Sequence, residues 1–260
     1  MSRIFVSANS EFVSGSFAPI TVAPFTMACW FLHSNDSTSQ EFSYIGDFDF
    51  TTHFYAFSAR SNGTLRFTAR AGASQHATTS DTFPLNTWNH ACGVARASDD
   101  RSVFLNATGE VTNTNTSVPL NLDAFGIGAR SGETPSQFFD GMVAEYGIWN
   151  IALSEFEVKL LGPQYRWSPL KVRRKNLVWY ESFRFPDYNY DLERRRVKGV
   201  LTNLGSTFTA DHPLGIVYPS ERRVIAPAPA VVGITDGEIA AATGPRRHDV
   251  DLPPAEVVAY

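Results

Sequence analysis

Short apolar runs separated by turn residues fill the first 150 residues of the chain, and this alternation limits its fold more than any other feature. Short runs bounded by Gly, Asn, Asp and Ser clusters are typical of antiparallel sandwiches and barrels. Residues 53–60 and 64–71 are two such runs, and Ser61-Asn62-Gly63 lies between them. Asn-Gly in this setting is the strongest short-range hairpin signal, because both residues tolerate positive φ. The sequence therefore predicts a β-hairpin here.

The second strand of this hairpin has one apolar and one polar face. Its residues alternate, with Leu65, Phe67 and Ala69 set against Arg66, Thr68 and Arg70. Side chains of a strand point to opposite faces in turn, so the face with the arginines is predicted to contact water. Residues 24–33 are apolar at odd and even positions alike, which predicts a strand whose two faces are both buried.

Further elements follow along the chain. Residues 87–96 and 101–109 flank a polar turn and are predicted to form a second hairpin, and residues 142–150 form another strand. Ser154 and Glu157 then have the spacing of a capping box, which predicts the start of a helix. Gly162-Pro163 predicts its end. The fold class is therefore all-β, an antiparallel sandwich with one short helix.

Composition supports a large core and separates the chain into regions of different charge. Aromatic residues make up 13% of the 260 positions, including 20 Phe, and large aromatics bury much apolar area. The net charge is −7 over residues 1–163, +6 over 164–200 and −3 over 201–260. Either the regions meet different partners, or the basic stretch folds back onto the acidic sandwich.

The two cysteines and the N-terminal residues indicate in which cellular compartment the chain is made. Cys29 and Cys92 each lie in an apolar run, where free Cys behaves as a small buried hydrophobe. A disulfide is the alternative, since sequence spacing does not fix the distance between strands; we expect two free thiols. The first residues lack the apolar segment and cleavage site of a signal peptide, and no run approaches a membrane span. We therefore expect synthesis in a cytoplasm and no membrane partner.

The order of these motifs resembles the laminin-G/pentraxin-like jelly roll of the concanavalin A-like superfamily. The resemblance covers residues 1–163, and its closing segment is the most specific part. The matching positions are Trp88, His90, Gly141, Glu145, Ile148, Trp149, Ala152, Leu153 and Ser154. Where the family pattern has Asn-Gly in the central hairpin, this chain has Asn106-Ala107-Thr108-Gly109, which predicts a longer turn.

Most of the matching residues are expected to be structural. Trp88, Trp149 and Phe139 are interpreted as core residues, and His90 as a semi-buried histidine with its hydrogen bonds satisfied. Glu145 is unusual, because it lies on an otherwise apolar strand. A buried carboxylate needs donors, so Glu145 is expected to bind a turn amide or the helix N-terminus, with metal binding as the less favoured alternative.

The sequence contains no catalytic signature. Glycosidases of this fold carry a Glu-x-Asp-x-x-Glu string, and it is absent here. The resemblance implies calcium or sugar binding instead. Calcium needs several converging oxygens, and the loop-edge candidates for calcium or glycan are Asn35, Asp36, Asp47, Asp49 and Asp140. Aromatic residues near Phe50, His53 and Tyr55 are candidates for a sugar platform, with solvated loop acids as the structural alternative.

The C-terminal region carries a different signal. Residues 164–225 are interpreted as a connector with short strands, one of them at 176–183, and residues 226–260 as an extended Ala/Pro-rich arm without a core of its own. Residues 164–200 are rich in Arg and aromatics, a composition typical of protein interfaces. The same mixture could stack on single-stranded nucleic acid, which we rank lower.

The segment that includes residues 167–180 and 201–213 also resembles the region that follows the sandwich in tailed-phage virion proteins. The leading hypothesis is a virion structural protein in a capsid, tail or fibre. It would bind other virion proteins through residues 164–260 and would form a homo-oligomer. A free carbohydrate-binding lectin is the alternative, and a glycoside hydrolase the third.

Overall fold

Two antiparallel sheets face each other across an aromatic core in the computed structural model, which describes residues 2–49, 52–183 and 201–219. In chain order the strands are β1 Ser2–Phe5, β2 Phe12–Gly15, β3 Phe25–His33, β4 Gln40–Gly46, β5 His53–Ala59, β6 Thr64–Ala71, β7 Ala73–Thr82, β8 Trp88–Ala97, β9 Asp100–Leu105, β10 Thr108–Asn113, β11 Ala124–Ile127, β12 Gly141–Trp149, β13 Leu177–Glu181, β14 Thr202–Leu204 and β15 Thr207–Thr209. The first sheet has the order β10-β9-β8-β3-β12-β1-β15, and β13 also pairs with β12. The second sheet has the order β14-β2-β11-β4-β5-β6-β7. This architecture confirms the predicted jelly-roll sandwich.

The core between the sheets is built from the inward positions of the predicted strands. Phe31 of β3 stacks on Phe42 of β4 with ring centroids 4.8 Å apart, so the two sheets meet through aromatic faces. Phe57 and Phe67, on neighbouring strands, complete this layer at 5.4 Å. Such aromatic contacts bury large areas and are worth about 0.5–1.5 kcal/mol each beyond that burial.

The outward face of the first sheet is covered by the predicted helix, α1 Glu155–Leu161. Ser154 is its N-cap, and the capping box with Glu157 is present, as predicted. Val158 and Leu161 are buried against the same cluster as Trp149, together with a 3-10 turn at Pro169–Lys171 and its surroundings. β3 is therefore buried along its whole length on both faces, as its sequence predicts.

Strand β12 changes partner halfway along its length. Its first half pairs with β1 and its second half with β13, while β3 runs along its other side. Between the halves, the register shifts by one residue between Ala144 and Gly147. Glu145 lies in this bulge with a φ of 52°, a left-handed conformation that is uncommon for a non-glycine residue.

Both hairpins form, and one turn differs from its prediction. Strands β5 and β6 are joined through residues 60–63, with Gly63 at a φ of 76°. In contrast, the longer turn expected around residue 106 is wrong. Leu105 pairs directly with Thr108, and only Asn106 and Ala107 lie between them, both with positive φ. Asn tolerates this conformation, so a two-residue turn forms without the expected Asn-Gly.

The cysteines are both free and buried, as expected. Cys92 is paired with Ala28, the residue before Cys29. Adjacent positions of a strand point to opposite faces, and accordingly Cys29 lies in the inter-sheet core while Cys92 lies in the cluster under the helix. Their side chains therefore cannot meet.

Residues after 163 contribute strands to both sheets. The strand predicted at 176–183 is confirmed as β13, and Trp179 within it is fully buried in the inter-sheet core. Strands β14 and β15 follow each other closely in sequence but join different sheets, β14 next to β2 and β15 next to β1. The described parts of the expected connector are thus packed into the sandwich. The arm expected at 226–260 lies outside the described residues. Within the described ranges, no helix is long and apolar enough to cross a membrane.

Candidate functional site

The two outward faces of the sandwich differ in how they are covered. The first sheet carries the helix and an apolar cluster of 13 buried residues on its outside. The outward apolar cluster of the second sheet has four buried residues, Tyr44, Phe54, Ala56 and Ala124. The rest of that face, toward β6 and β7, is polar and partly exposed, so it is the larger surface available to a ligand.

Strand periodicity places a set of cations on this face. On β5 and β6 the odd positions fill the core, and the even positions point outward with Ser58 opposite Arg66 and Phe54 opposite Arg70. On β7, His76 lies opposite Thr68. We call the outward set the arginine face: Arg60, Arg66, Thr68, Arg70, His76 and Arg130.

Two of the four arginines are occupied by contacts within the protein. Arg130 binds the buried Glu41 bidentately, with Nε–Oε2 at 3.0 Å and Nη2–Oε1 at 2.5 Å. Its guanidinium also lies 4.7 Å from the ring centroid of Phe54. Arg70 donates to the Gly72 carbonyl at 3.0 Å and lies 5.8 Å from the same ring. These cation–π and charge-assisted contacts hold both side chains against the sheet.

The other two arginines, Arg60 and Arg66, have no such contact with the part of the chain that the structure describes. The Nε atoms of Arg60 and Arg66 are buried and have no hydrogen-bond acceptor among the described residues. Burial, together with the charge of Arg60, lowers the pKa of Arg66 from its usual value. Burial, followed by the charges of Arg66 and Arg60, lowers the pKa of His76 to about 4, so this histidine is neutral near pH 7. Its Nδ1 and the Thr68 hydroxyl are 3.1 Å apart.

The loop between β11 and β12 lies along β4, next to the arginine face. At one end of β4 the Glu41 amide donates to the Gln137 carbonyl at 2.8 Å. At the other end, the Glu133 amide donates to the Phe48 carbonyl at 2.7 Å. The loop therefore follows the outside of β4 over its length and brings Arg130 over Phe54.

The five loop residues predicted to bind calcium or glycan fall into two groups. The first group comprises Asn35, Asp36 and Asp140. In it, Asp140 accepts hydrogen bonds from the Ser7 amide and hydroxyl, both at 2.6 Å, and from Asn35 at 3.1 Å. Although burial by itself raises the pKa of Asp140, these hydrogen bonds lower it below its usual value. Asp36 is exposed next to Asn35. The Asp140 carboxylate thus joins the segments that follow β1 and β3, and its amide donates to Gln40 of β4 at 2.7 Å.

The second group lies at the far end of β4. Asp47 directly follows this strand, is buried, and accepts a hydrogen bond of 3.0 Å from the Asp49 amide. Seven residues of strand, Gln40–Gly46, separate it from the Asp140 group, a distance of about 20 Å. The structure therefore does not bring the five side chains into one site. Nor do its described residues contain a cluster of three or more His, Cys, Asp or Glu side chains suited to a metal ion.

The predicted aromatic platform is only partly available. Tyr55 lies in the inter-sheet core against Phe25, with centroids 4.6 Å apart, so its candidacy was wrong. It occupies an inward position of β5, whereas a sugar platform must be exposed. His53 is half-buried and accepts the Leu120 amide, while Phe50 lies outside the described residues. Phe48, which the sequence analysis did not single out, is 41% exposed beside Asp47.

The remaining singled-out residues have structural roles. Trp149 and Phe139 are fully buried, as expected. Trp88 is only half-buried and donates to Asp211 at 3.1 Å, so its assignment to the core was wrong. His90 is buried rather than half-buried, packs edge-on against Trp30, and its Nδ1 has no partner among the described residues.

Glu145 is buried and binds side chains rather than a backbone amide. Tyr180 donates to it at 2.8 Å, Tyr218 also donates to it, and His212 Nε2 lies 3.2 Å from its carboxylate. The sequence identified this carboxylate as unusual but not its partners, which lie 35 to 73 residues further along the chain. The expectation that Glu145 binds a turn amide or the helix N-terminus is therefore wrong, since its partners are two tyrosine hydroxyls and an imidazole.

Comparisons with known proteins bear on the family and the fold. Residues 7–159 match the laminin-G family model described as the concanavalin A-like lectin/glucanases superfamily. A proposed carbohydrate-binding protein from Bacteroides ovatus has a similar structure, with a TM-score of 0.55, 14% identity, and coverage of 81% of this chain and 60% of that chain. No curated protein sequence matches the chain.

Two further solved structures are similar. The CBM40 domain of the Ruminococcus gnavus IT-sialidase, bound to α2,3-sialyllactose, has a TM-score of 0.51 and 11% identity, covering 62% of this chain and 97% of that chain. A heptameric SAP-like pentraxin from Limulus polyphemus has a TM-score of 0.49 and 15% identity, covering 58% and 75%. At 11–14% identity, the likenesses to the CBM40 domain and to the Bacteroides ovatus protein show a shared fold alone.

Proposed function

Because the chain belongs to the concanavalin A-like lectin/glucanase superfamily, we propose that it is a non-enzymatic carbohydrate-binding protein whose ligand lies on the arginine face. The observation that carries this proposal is the asymmetry of the sandwich. One outward face is covered by α1 and its apolar cluster, and the other presents polar side chains beside the loop that follows β4. Ligand sites combine a few such polar groups with apolar surface.

Binding is favoured over hydrolysis because the Glu41 carboxylate, on this side of the sandwich, is buried and already paired with Arg130. Glycosidases use a pair of carboxyl groups flanking the scissile bond. Glu41, the acidic group that acts on Arg66, is buried and held by Arg130 through two hydrogen bonds. A carboxylate fixed in this way is poorly placed to attack or protonate a sugar.

A steric block tests the location of the site. Thr78 lies opposite Arg66 on the outward face of β7, so Thr78→Trp should place an indole over the arginine face and abolish binding on a glycan array. Glu155→Trp adds the same group to α1, on the other side of the sandwich, and should leave binding intact. The proposal fails if a folded wild-type protein binds no glycan, or if both variants bind as the wild type does.

The same protein is proposed to be a structural component of a tailed-phage virion, held there through residues 164–260. Support comes from the resemblance of residues 167–180 and 201–213 to the region that follows the sandwich in such proteins, and from the Ala/Pro-rich composition of residues 226–260. A coreless segment of this kind is ordered by burial against a partner. Mass spectrometry of purified particles should find the chain, whereas a free lectin would stay in the soluble fraction.

A further inference from the structure

The charges on the arginine face are unbalanced. Arg130 is neutralised by Glu41, and Arg70 is held by the Gly72 carbonyl and the ring of Phe54. Arg60 and Arg66 remain without an ion pair among the described residues and are close enough to act on each other electrostatically; the charge of Glu41 also reaches Arg66, with a smaller and opposite effect. Two adjacent cations on a partly buried surface repel each other, and an anion bound between them would relieve that repulsion.

The hydrogen-bonding state of these two side chains also indicates a missing acceptor. The Nε–H groups of Arg60 and Arg66 are shielded from solvent, and no described residue accepts from them. Buried donors are nearly always paired in folded proteins, so an unpaired donor needs an explanation. A guanidinium presents its donors as a planar fork that fits the two oxygens of a carboxylate, or of a sulfate, in a bidentate contact.

The neighbours of this pair suit a sugar ring. Ser58 lies opposite Arg66 on β5, Thr78 lies opposite it on β7, and both are uncharged. His76 and the Thr68 hydroxyl add polar atoms one residue pair further along. Uncharged hydroxyls and an imidazole can exchange hydrogen bonds with sugar hydroxyls.

We propose that the arginine face binds saccharides bearing a carboxylate or sulfate group, and that Arg60 and Arg66 hold this acidic group. The inference rests on the proposed carbohydrate-binding function and specifies its ligand class. Nothing in it requires a metal ion, because the guanidinium groups themselves supply the positive charge.

The test uses the full chain and a glycan array of neutral, sialylated, uronate-containing and sulfated oligosaccharides. The strongest acidic binder is compared by calorimetry with its carboxyl-reduced or desulfated form, and this pair of arms distinguishes carboxylate from sulfate. Binding to the acidic form should be about tenfold tighter or more, the effect of one charge-assisted contact. Arg66→Gln and Arg60→Gln should each remove this preference.

Arg174→Gln is the matched control, since Arg174 is exposed outside the arginine face and its loss changes the net charge equally. It should bind as the wild type does. Equal binding of neutral and acidic forms, blocked by Thr78→Trp, would overturn this inference while leaving the proposed function standing. Absence of all glycan binding would remove both. Equally tight, Arg66-dependent binding of a single-stranded oligonucleotide would replace the saccharide by a nucleic acid and overturn the inference.

Discussion

The Tyr180 hydroxyl donates a hydrogen bond of 2.8 Å to the buried carboxylate of Glu145. Tyr180 belongs to β13 and Glu145 to the bulge of β12, and the same carboxylate also binds Tyr218 and His212. A single acidic group thus joins a strand of the first sheet to the described segment 210–218. Its burial is tolerated because each oxygen has a donor.

Removing this carboxylate should loosen the segment it holds. Glu145→Ala leaves the Tyr180 and Tyr218 hydroxyls without their acceptor, and the free energy of unfolding should fall by about 1.5–3 kcal/mol or more. Hydrogen exchange should increase selectively in residues 210–218. Glu155→Ala, at a helix position whose side chain is 60% exposed and pairs with Lys159, is the control: it should cost at most about 0.5 kcal/mol and leave exchange in residues 210–218 unchanged. Unchanged exchange in residues 210–218 would show that other contacts hold the segment.

Trp149 should be a major contributor to stability. It is fully buried under α1, and its Nε1 donates to the Val172 carbonyl at 2.8 Å. Trp149→Ala should lower the free energy of unfolding by about 3–5 kcal/mol, measured by urea denaturation. Phe156 lies on the same helix but is 63% exposed. Phe156→Ala should therefore lower the free energy of unfolding by less than about 0.5 kcal/mol. A loss below about 1 kcal/mol for Trp149→Ala would contradict its place in the core.

Two truncations should separate the roles of the C-terminal segments. Ending the chain at Pro219 removes none of the contacts described between residues 2 and 219, so the melting temperature should be unchanged. Ending it at Val200 also removes β14, β15 and two of the three groups that bind Glu145, His212 and Tyr218. That protein should melt at a clearly lower temperature, because β1 and β2 lose their neighbours and a buried carboxylate keeps only Tyr180 as a donor. Equal melting of both truncations would contradict this expectation.

Acid should destabilise the fold through His90. Burial lowers its pKa to about 3, whereas the unfolded value is about 6.5. The unfolded state therefore binds a proton between these values and the folded state does not, so this contribution is present above pH 6.5 and is lost as the pH falls toward 3. The slope is at most about 1.4 kcal/mol per pH unit. His90→Gln should flatten the dependence of unfolding free energy on pH relative to the wild type; identical slopes would refute the assignment.

The loop carboxylates should differ in their effect on stability. Asp140→Ala removes the acceptor of three hydrogen bonds and should lower the free energy of unfolding by about 1–3 kcal/mol. The double change Asp47→Asn and Asp49→Asn keeps an acceptor oxygen for the Asp49 amide and should leave the fold intact, with no glycan hydrolysis to lose. Chelation with EDTA should alter neither melting nor glycan binding, and a clear fall in either would restore calcium as a ligand.

Strand periodicity and local turn chemistry made much of this fold predictable. The alternation at Leu65, Arg66 and Phe67 predicted which side of β6 meets the core, and the arginine face follows from it. The capping box of Ser154 was equally local. Strand β7, Ala73–Thr82, was not predicted, because its sequence is polar with little apolar alternation and its pairing with β6 defines it as a strand.

The parts that could not be predicted depend on tertiary pairing. Arg60 and Arg66 lie six residues apart in sequence. They reach one surface because the hairpin register sets their strands side by side and because both occupy even positions, which face the same side of the sheet. The sequence does carry one signal for this surface, since Arg60, Arg66 and Arg70 all occupy even positions of the two strands or their turn. The donors of Glu145 are set by how residues 180–218 return to β12, and no local pattern encodes that return.

The placement of β14 and β15 on different sheets also has a consequence for the order in which the protein folds during synthesis. The two strands pair with β2 and β1, and Ser2 pairs with Thr209 near the other end of the described chain. Until residues 202–209 leave the ribosome, β1 and β2 lack these partners and are open edge strands, the kind of surface that recruits strands from other chains. Closing so long a loop is slow compared with local pairing. The nascent chain is therefore most exposed to misassembly just before its last described strands emerge.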